Sequence, residues 1–438
     1  MWAYIGLNSF GGPAGQIAVM HRELVERRNW LSERRFIHAL NFCMVLPGPE
    51  AQQLATYIGW LMHGTVGGVI AGTLFIIPGF VAMLTLSIGY VLFGEVTWVQ
   101  GLLFGLQAAV VAIVLEALIR IGRRTLRSRG HVVTAVLSFA AITWAQVPFP
   151  VIIVAAGLTG WLLALRRPGD STTAPVEAHS DPRKTPTLLS DDESISEART
   201  RSALRAAVVC ALLWLVPTAL LILVLGDENV FAQEATLFSK SAVLTFGGAY
   251  AVLGYLTQEA VSRYGWITPK DMITGLGLAE TTPGPLVMVV QFVGFLAAYN
   301  HPGSLPPLVA GMLGAVLAVW VTFVPCFMFI FLGAPYIERL RHSTSLTGAL
   351  SLIGAAVTGV ILNLAVWFFL HTTFGRIDDF RIGPLRISLP ALDTVNPSAL
   401  AICALAALLV FRFRVRTISV LGACAVIGMV VTLAIDRT

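Results

Sequence analysis

Apolar runs separated by short charged clusters divide the chain into thirteen stretches, near residues 1–20, 40–63, 66–93, 98–119, 131–147, 149–165, 205–225, 235–257, 272–299, 305–333, 347–371, 397–411 and 417–435. Most extend for about 18 residues or more, the length a helix needs to cross a bilayer. The pattern predicts an all-α, polytopic membrane protein of about 13 transmembrane segments. One region breaks it: residues 166–204 are rich in Ser, Thr, Pro, Asp and Glu and nearly free of large apolar side chains. Such a composition cannot bury a core, so it predicts a flexible cytoplasmic linker between an N-terminal transmembrane repeat at 1–165 and a C-terminal one at 205–438.

The two halves repeat each other. At a constant offset of 236, Ser9-Phe10-Gly11-Gly12 matches Thr245-Phe246-Gly247-Gly248, Trp30-Leu31-Ser32 matches Trp266-Ile267-Thr268, and Leu46-Pro47-Gly48-Pro49 matches Thr282-Pro283-Gly284-Pro285. At an offset of 247, Ile77-Pro78-Gly79-Phe80 matches Val324-Pro325-Cys326-Phe327 and Ala108-Ala109-Val110 matches Ala355-Ala356-Val357. An insertion of eleven residues around Asn300 to Pro307 accounts for the change. If every run crosses, the first span pairs with the eighth across an odd number of steps. The repeats are then expected to have inverted topology.

Arginine placement tests that arrangement through the bias of basic residues toward cytoplasmic loops. Arg120, Arg123, Arg124, Arg127 and Arg129, then Arg166 and Arg167, then Arg339, Arg341, Arg412, Arg414 and Arg416 all fall on the cytoplasmic side. The opposite loop at 372–396 balances Arg376, Arg381 and Arg386 against Asp378, Asp379 and Asp393. One cluster disagrees: Arg22, Arg27, Arg28, Arg34 and Arg35 fall outside. Making 36–64 a re-entrant hairpin brings them in, but applied to both halves it moves Arg339, Arg341, Arg412, Arg414 and Arg416 out. The crossing arrangement is therefore the expectation.

The repeated motifs carry helix breakers inside apolar runs. Gly tolerates backbone geometry other residues resist, and Pro stops one helix or opens the next. Four broken helices follow, related two by two. A half-helix N-terminus presents unpaired N–H groups and a partial positive charge, which suits an anion. Transporters with inverted repeats bind substrate at such discontinuous helices, where irregular backbone lines a cavity. Ser9, Gln16, Gln52, Gln53, Thr245, Thr281, Thr282 and Gln291 can donate hydrogen bonds to an oxyanion, although each taken singly is better explained as helix–helix hydrogen bonding. Arg22 can hold a dianion at the mouth or simply face solvent or lipid headgroups. The expected substrate-binding set is Ser9, Gly11, Gly12, Gln16, Arg22, Pro47, Gly48, Pro49, Gln52, Gln53, Thr245, Gly247, Gly248, Thr282, Pro283, Gly284, Pro285 and Gln291.

Composition narrows the function further. The chain has 438 residues, 56% hydrophobic and 12% charged, against roughly 25% charged in a soluble domain. Its net charge of +5 lies in arginines between apolar runs, which membrane topology explains without nucleic acid. Cys43, Cys210, Cys326, Cys403 and Cys424 have no short-spaced pair, so packing is their expected role and no metal or disulfide is expected. No Gly-rich dinucleotide loop follows a strand, so no cofactor and no enzyme activity are expected. Glu50, Glu116 and Glu280 lie within or beside apolar runs, where charge is costly and functional roles are enriched; they are the candidates for proton exchange. Their repeat equivalents, Leu286, Asn363 and Met44, are not acidic.

At these motifs the chain resembles the CHR family of chromate ion transporters in its two-domain, long-chain form. The resemblance rests on Ser9-Phe10-Gly11-Gly12-Pro13-Ala14-Gly15-Gln16, on His21-Arg22-Glu23-Leu24-Val25 leading to Trp30, on Leu46-Pro47-Gly48-Pro49-Glu50-Ala51-Gln52-Gln53-Leu54-Ala55, and on the second-half motifs at Thr245 and Thr282. It covers roughly 1–125 and 235–370. It implies export of chromate across the bacterial inner membrane in exchange for protons, conferring chromate resistance, with sulfate as competitor. Uptake of sulfate or another oxyanion is the alternative. Few residues precede Trp2, so a start codon further upstream is an expectation of the same comparison, and a homodimer is the default assembly.

Overall fold

Glycine and proline decide where the helices stop. The computed structural model describes residues 1–166, 197–246, 248–336, 344–383 and 385–436. Most of the expected linker, with Arg167, Gly247, Arg339 and Arg341, lies outside the described residues. In the first half α1 (Trp2–Leu7) ends before Gly11 and Gly12, whose φ values of 79° and 70° are left-handed. There α2 (Gly12–His21) starts, and it runs into a wider π-helical turn at Arg22–Arg27. Next comes α3 (Glu33–Cys43), capped by the Ser32 hydroxyl, which accepts the Arg35 N–H at 3.1 Å. After Pro47-Gly48-Pro49 the chain resumes as α4 (Glu50–Phe93), which reverses direction at His63 and Gly64.

Four helices follow: α5 (Thr97–Thr125), α6 (Arg129–Thr143), α7 (Phe149–Arg166) and α8 (Glu197–Leu225). The second half repeats the opening. Helix α9 (Val230–Leu244) breaks before α10 (Ala249–Leu256), which enters its own π turn at Thr257–Arg263. Helix α11 (Pro269–Thr281), capped by Thr268, breaks at Pro283-Gly284-Pro285 before a 3₁₀ turn and α12 (Val289–Asn300). Helices α13 (Pro307–Gly333) and α14 (Thr344–Thr373) lead to a hairpin of β1 (Ile377–Ile382) and β2 (Leu385–Pro390). Helices α15 (Pro397–Ala407), extended by a π turn at Leu408–Arg412, and α16 (Thr417–Ile435) complete the chain.

The broken segments fold back rather than cross. Asn300, at the end of α12, donates its side-chain N–H to the carbonyl of Trp266, just before α11, at 2.9 Å. The two legs pack side by side, with the Phe292 ring against Gly275. In the first half the rings of Phe42 on α3 and Tyr57 on α4 lie 5.1 Å apart in the same relation. Trp266 also lines one cavity with Asn229 and Phe231, so α9 and α10 start and finish on a single face. His21 pairs with Glu33 at 2.5 Å, joining the end of α2 to the start of α3.

The expected crossing of the runs near 1–20, 40–63, 235–257 and 272–299 is therefore revised: all four are re-entrant hairpins. Their legs, such as the 13 residues of α11, span about 20 Å at 1.5 Å per residue, short of the roughly 30 Å hydrocarbon core. Among the described residues seven helices are long and apolar enough to cross, and the shorter apolar α6 and α15 join them. Five of these crossings, from the second leg of α4 to α8, separate the two hairpin pairs. The number is odd, so the inverted relation stands. The arginine conflict also disappears, because both breaks of a half, and not just one, turn back. Arg22, Arg27, Arg28, Arg34 and Arg35 now share a face with the start of α8, where Arg199 stacks 5.8 Å over the Trp60 ring and Thr65 meets Ser202 at 2.7 Å. Arg412, Arg414 and Arg416 stay on that same face.

Glycine seams hold the bundle. A methyl group at Gly59 would lie 2.5 Å from the Gly67 carbonyl, and one at Gly294 would lie 2.9 Å from the Gly314 carbonyl, so each hairpin's second leg packs backbone to backbone on the crossing helix that follows. Gly101 meets Met429 on α16 in the same way, at 2.7 Å. This topology is checked with a membrane-impermeant thiol reagent on single cysteines at four exposed positions. Arg34→Cys and Arg414→Cys should label from one side of oriented vesicles and Ser304→Cys and Arg376→Cys from the other. Labelling of Arg34→Cys together with Ser304→Cys would restore the crossing arrangement.

Candidate functional site

Each hairpin tip leaves backbone groups that no helix can pair, and the two halves supply them to each other. The Gly48 N–H donates to the Thr245 carbonyl at 2.9 Å, and the Gly284 N–H donates to the Ser9 carbonyl at 2.9 Å. Ser9 and Thr245 are equivalent, as are Gly48 and Gly284, so the contacts are related by the pseudo-two-fold axis. Each tip also sits on the repeated proline motif of a crossing helix. A methyl group on Gly48 would stand 2.9 Å from Cys326 Sγ, and one on Gly284 would stand 3.2 Å from Gly79 Cα. The φ values of Gly48 (130°) and Gly284 (94°) exclude ordinary side chains as well.

The break glycines differ. Gly11, Gly12 and Gly248 have φ values of 79°, 70° and 101°, yet a methyl group on any of them would meet nothing within 4 Å. Their backbone borders open space, whereas the tip glycines are packed. Four half-helices start at these points, at Gly12, Glu50, Ala249 and Leu286, each without a side-chain cap. Their first-turn N–H groups have no intrahelical partner and carry the positive end of the helix dipole. The notable donors at the site are thus main-chain ones.

The expected polar side chains mostly serve the breaks themselves. The Ser9 and Thr245 hydroxyls donate back to Ile5 and Ser241 at 2.6 and 2.5 Å, and those of Thr281 and Thr282 to Leu278 and Ala279 at 2.8 and 3.0 Å. Gln16 donates to the Gly284 carbonyl at 2.6 Å, Gln53 to the Pro47 carbonyl at 2.6 Å, and Gln291 to the Phe80 carbonyl at 2.9 Å. Gln52 donates to the Thr56 hydroxyl at 3.0 Å. These amides fix the tips, while the Oε1 atoms of Gln52, Gln53 and Gln291 are buried without a partner. Pro49 and Pro285 precede the half-helices as extended N-caps, and the Pro283 carbonyl lies against Gly79. Arg22 stays at the hairpin base, its Nε 3.9 Å from Glu23. Gly247 lies outside the described residues.

The three acids occupy different places. Glu280 ends α11 just before its tip, and its Oε1 accepts the Tyr250 hydroxyl at 2.5 Å. Glu50 opens α4 at the other tip. Glu116 pairs with Arg120 along α5 at 3.1 Å. That helix brings two cations to the tips: Arg120 acts electrostatically on Glu280, and Arg124 acts on Glu50 and donates to the Met44 sulfur at 3.0 Å. Met44 is the equivalent of Glu280.

Sequence reasoning missed several of these groups. Arg120 and Arg124 read from the sequence as part of a loop cluster, and nothing in the chain around Tyr250 marks it out. Glu23 and Glu259 are buried and pair with Arg27 and Arg263 at 2.8 and 3.0 Å, in equivalent π turns. The offset of 236 relates both members of each pair, a signal present in the chain. Glu234 on α9 is fully buried, and neither carboxylate oxygen has a hydrogen-bond partner.

The chain is similar in sequence to known proteins over both halves. The family model described as Chromate transporter matches residues 1–161 and 232–429, and so covers both hairpin sets and most of the crossing helices. A chromate transport protein of Pseudomonas aeruginosa is 34% identical over 360 residues, 81% of this chain and 76% of that protein. One from Cupriavidus metallidurans is 26% identical over 365 residues, 83% of this chain and 79% of its own. A probable chromate transport protein of Synechococcus elongatus is 27% identical over 362 residues, 83% of this chain and 81% of that protein. No solved structure matches the chain.

The packed and open glycines should respond differently to substitution. Gly48→Ala forces a methyl group onto Gln53 and Cys326 in a strained backbone, at a cost of about 1–3 kcal/mol, so the unfolding midpoint in detergent should fall. Gly11→Asn, with space around it and a side chain that tolerates left-handed φ, should leave the midpoint unchanged. Equal midpoints for the two variants would contradict the difference in packing.

Proposed function

Because the chain belongs to the chromate transporter family, we propose that it moves chromate out of the cytoplasm by alternating access, in exchange for protons. The observation that carries this reading is the reciprocal docking of Gly48 on Thr245 and Gly284 on Ser9, which gathers uncapped helix N-termini from both halves around one region. Main-chain N–H groups at helix starts suit a tetrahedral dianion, since they add positive potential without a side chain that must reorganise. Ser9, Gly11, Gly12, Gln16, Pro47, Gly48, Pro49, Gln52 and Gln53 form one part of this cradle. Thr245, Gly247, Gly248, Thr282, Pro283, Gly284, Pro285 and Gln291 form the other, and Arg22 stands at the mouth.

The basic face, with Arg22, Arg27, Arg28, Arg34 and Arg35 on the first hairpins and Arg412 to Arg416 beyond α15, is read as cytoplasmic in a bacterial inner membrane. Its charge attracts chromate on the side from which it is exported. Inverted hairpin pairs that grip one region from opposite faces support alternating access, because opening one pair can mirror closing the other. Glu50 and Glu280 lie at the two tips within the field of Arg124 and Arg120, so proton binding at these acids and anion binding at the tips influence each other. Glu116, paired with Arg120, belongs to the same set. Sulfate has the same shape and charge as chromate and should compete for the site.

Proteoliposomes with imposed pH gradients test the proposal. Chromate flux leaving the basic face should accelerate when protons are driven toward that face, and sulfate should inhibit it. Acceleration by the opposite gradient would mean co-transport, and indifference would remove proton coupling. Glu280→Gln keeps the shape and the Tyr250 contact but cannot exchange a proton, so flux should persist while its response to the gradient falls at least several-fold. An unchanged response would exclude Glu280 from coupling.

A further inference from the structure

The two-fold relation that matches the hairpins also matches the crossing helices behind them. At the offset of 247 that aligns Ala108-Ala109-Val110 with Ala355-Ala356-Val357, Arg124 of α5 corresponds to His371 of α14. Each stands in the last turn of its helix, on opposite faces of the protein.

Arg124 is exposed at the basic face and reaches Met44, the residue at which α3 ends and the first hairpin tip begins to turn. Among the described residues its hydrogen-bond partner at that point is a thioether, a weak acceptor, and no carboxylate lies within ion-pairing distance of it. A guanidinium offers five N–H donors in a planar fork that matches an oxyanion. Among the described residues most of that capacity has no partner.

His371 lines a cavity of about 1260 Å³ on the other face, between the ends of α4, α11, α12, α14 and α16. Its Nδ1 is 2.9 Å from the Trp367 carbonyl, an arrangement that holds the N–H there and leaves Nε2 for another partner. The adjacent Thr372 hydroxyl lines the same cavity and is buried without a partner. The charged residues that line the cavity with His371 are Lys270 and Asp271 on α11, Glu95 after α4 and Asp436 after α16. Tyr90 and Tyr299 also line the cavity, the Tyr90 hydroxyl being bonded to Asp271. From β1, Asp379 acts on His371; the Arg386 guanidinium bonded to Asp379 at 2.5 Å holds that carboxyl below the usual carboxylate range, so it stays ionised.

The equivalent mouths therefore differ in charge. At the offset of 236, Lys270 and Asp271 replace Arg34 and Arg35, and at 247 His371 replaces Arg124. Arg34, Arg35 and Arg124 on one side become Lys270, Asp271 and an imidazole, whose charge changes with pH, on the other.

We propose that Arg124 and His371 are the paired anion-gripping residues of the two mouths, one permanently charged and the other charged only when His371 is protonated. The inference rests on the reading of the chain as an anion carrier. Chromate is held from the basic face at every physiological pH, and from the opposite face only in acid. At neutral pH the acids around a neutral His371 favour release there.

Protein reconstituted in one orientation, assayed for chromate KM from each face between about pH 5 and 8, tests this. In the wild type, KM at the opposite face should fall about tenfold or more as the pH drops. His371→Gln should keep that KM high and His371→Arg should keep it low, both without pH response. Arg124→Gln should raise KM about tenfold or more at the basic face alone, with kcat changed less, and Arg124→Lys should recover part of the loss. A wild-type pH response retained in His371→Gln, or an Arg124→Gln effect equal on both faces, would overturn the pairing. Absence of saturable wild-type flux from either face would instead overturn the anion-carrier reading on which it rests.

Discussion

A backbone amide inside a bilayer must find a partner within the protein, because leaving it unpaired costs several kcal/mol. The four helix breaks create that need in the least favourable place. The solution is an exchange: Gly48 N–H goes to Thr245 and Gly284 N–H goes to Ser9, so each half satisfies a tip of the other. Much of the interior depends on this exchange. The glutamines at 16 and 53 fix the carbonyls on the far side of the tips, and the proline motifs at Pro78 and Pro325 shape the seats on which the tips rest.

This exchange also explains a division of labour among glycines. Those at the tips are held small by pressing neighbours as well as by their backbone angle, while those at the breaks are held small by their angle alone. Only the second kind borders open space. The side-chain hydroxyls and amides nearby mostly serve to hold the irregular backbone, and charge enters from α5, through Arg120 and Arg124.

The repeat, the breaks and the family were legible in the residues because the motifs keep one register, and register survives whatever path the chain takes. The path itself was not. A run such as 272–299 has the apolar length of a crossing helix, and nothing in its composition distinguishes one long leg from two short antiparallel ones. The arginines at 22–35 held the clue, yet it became decisive only if both breaks in each half turned back together. Arg124 was hidden by its company, since a cluster from Arg120 to Arg129 reads as a loop anchor.

The reciprocal contacts carry an implication for how such a molecule is put together. One half alone would insert with its glycine N–H and its Ser or Thr carbonyl facing nothing, both in hydrocarbon. Only a second half in the opposite orientation can complete it. A single repeat would therefore be an incomplete fold until it met an upside-down partner, and joining the two in one chain makes that encounter intramolecular.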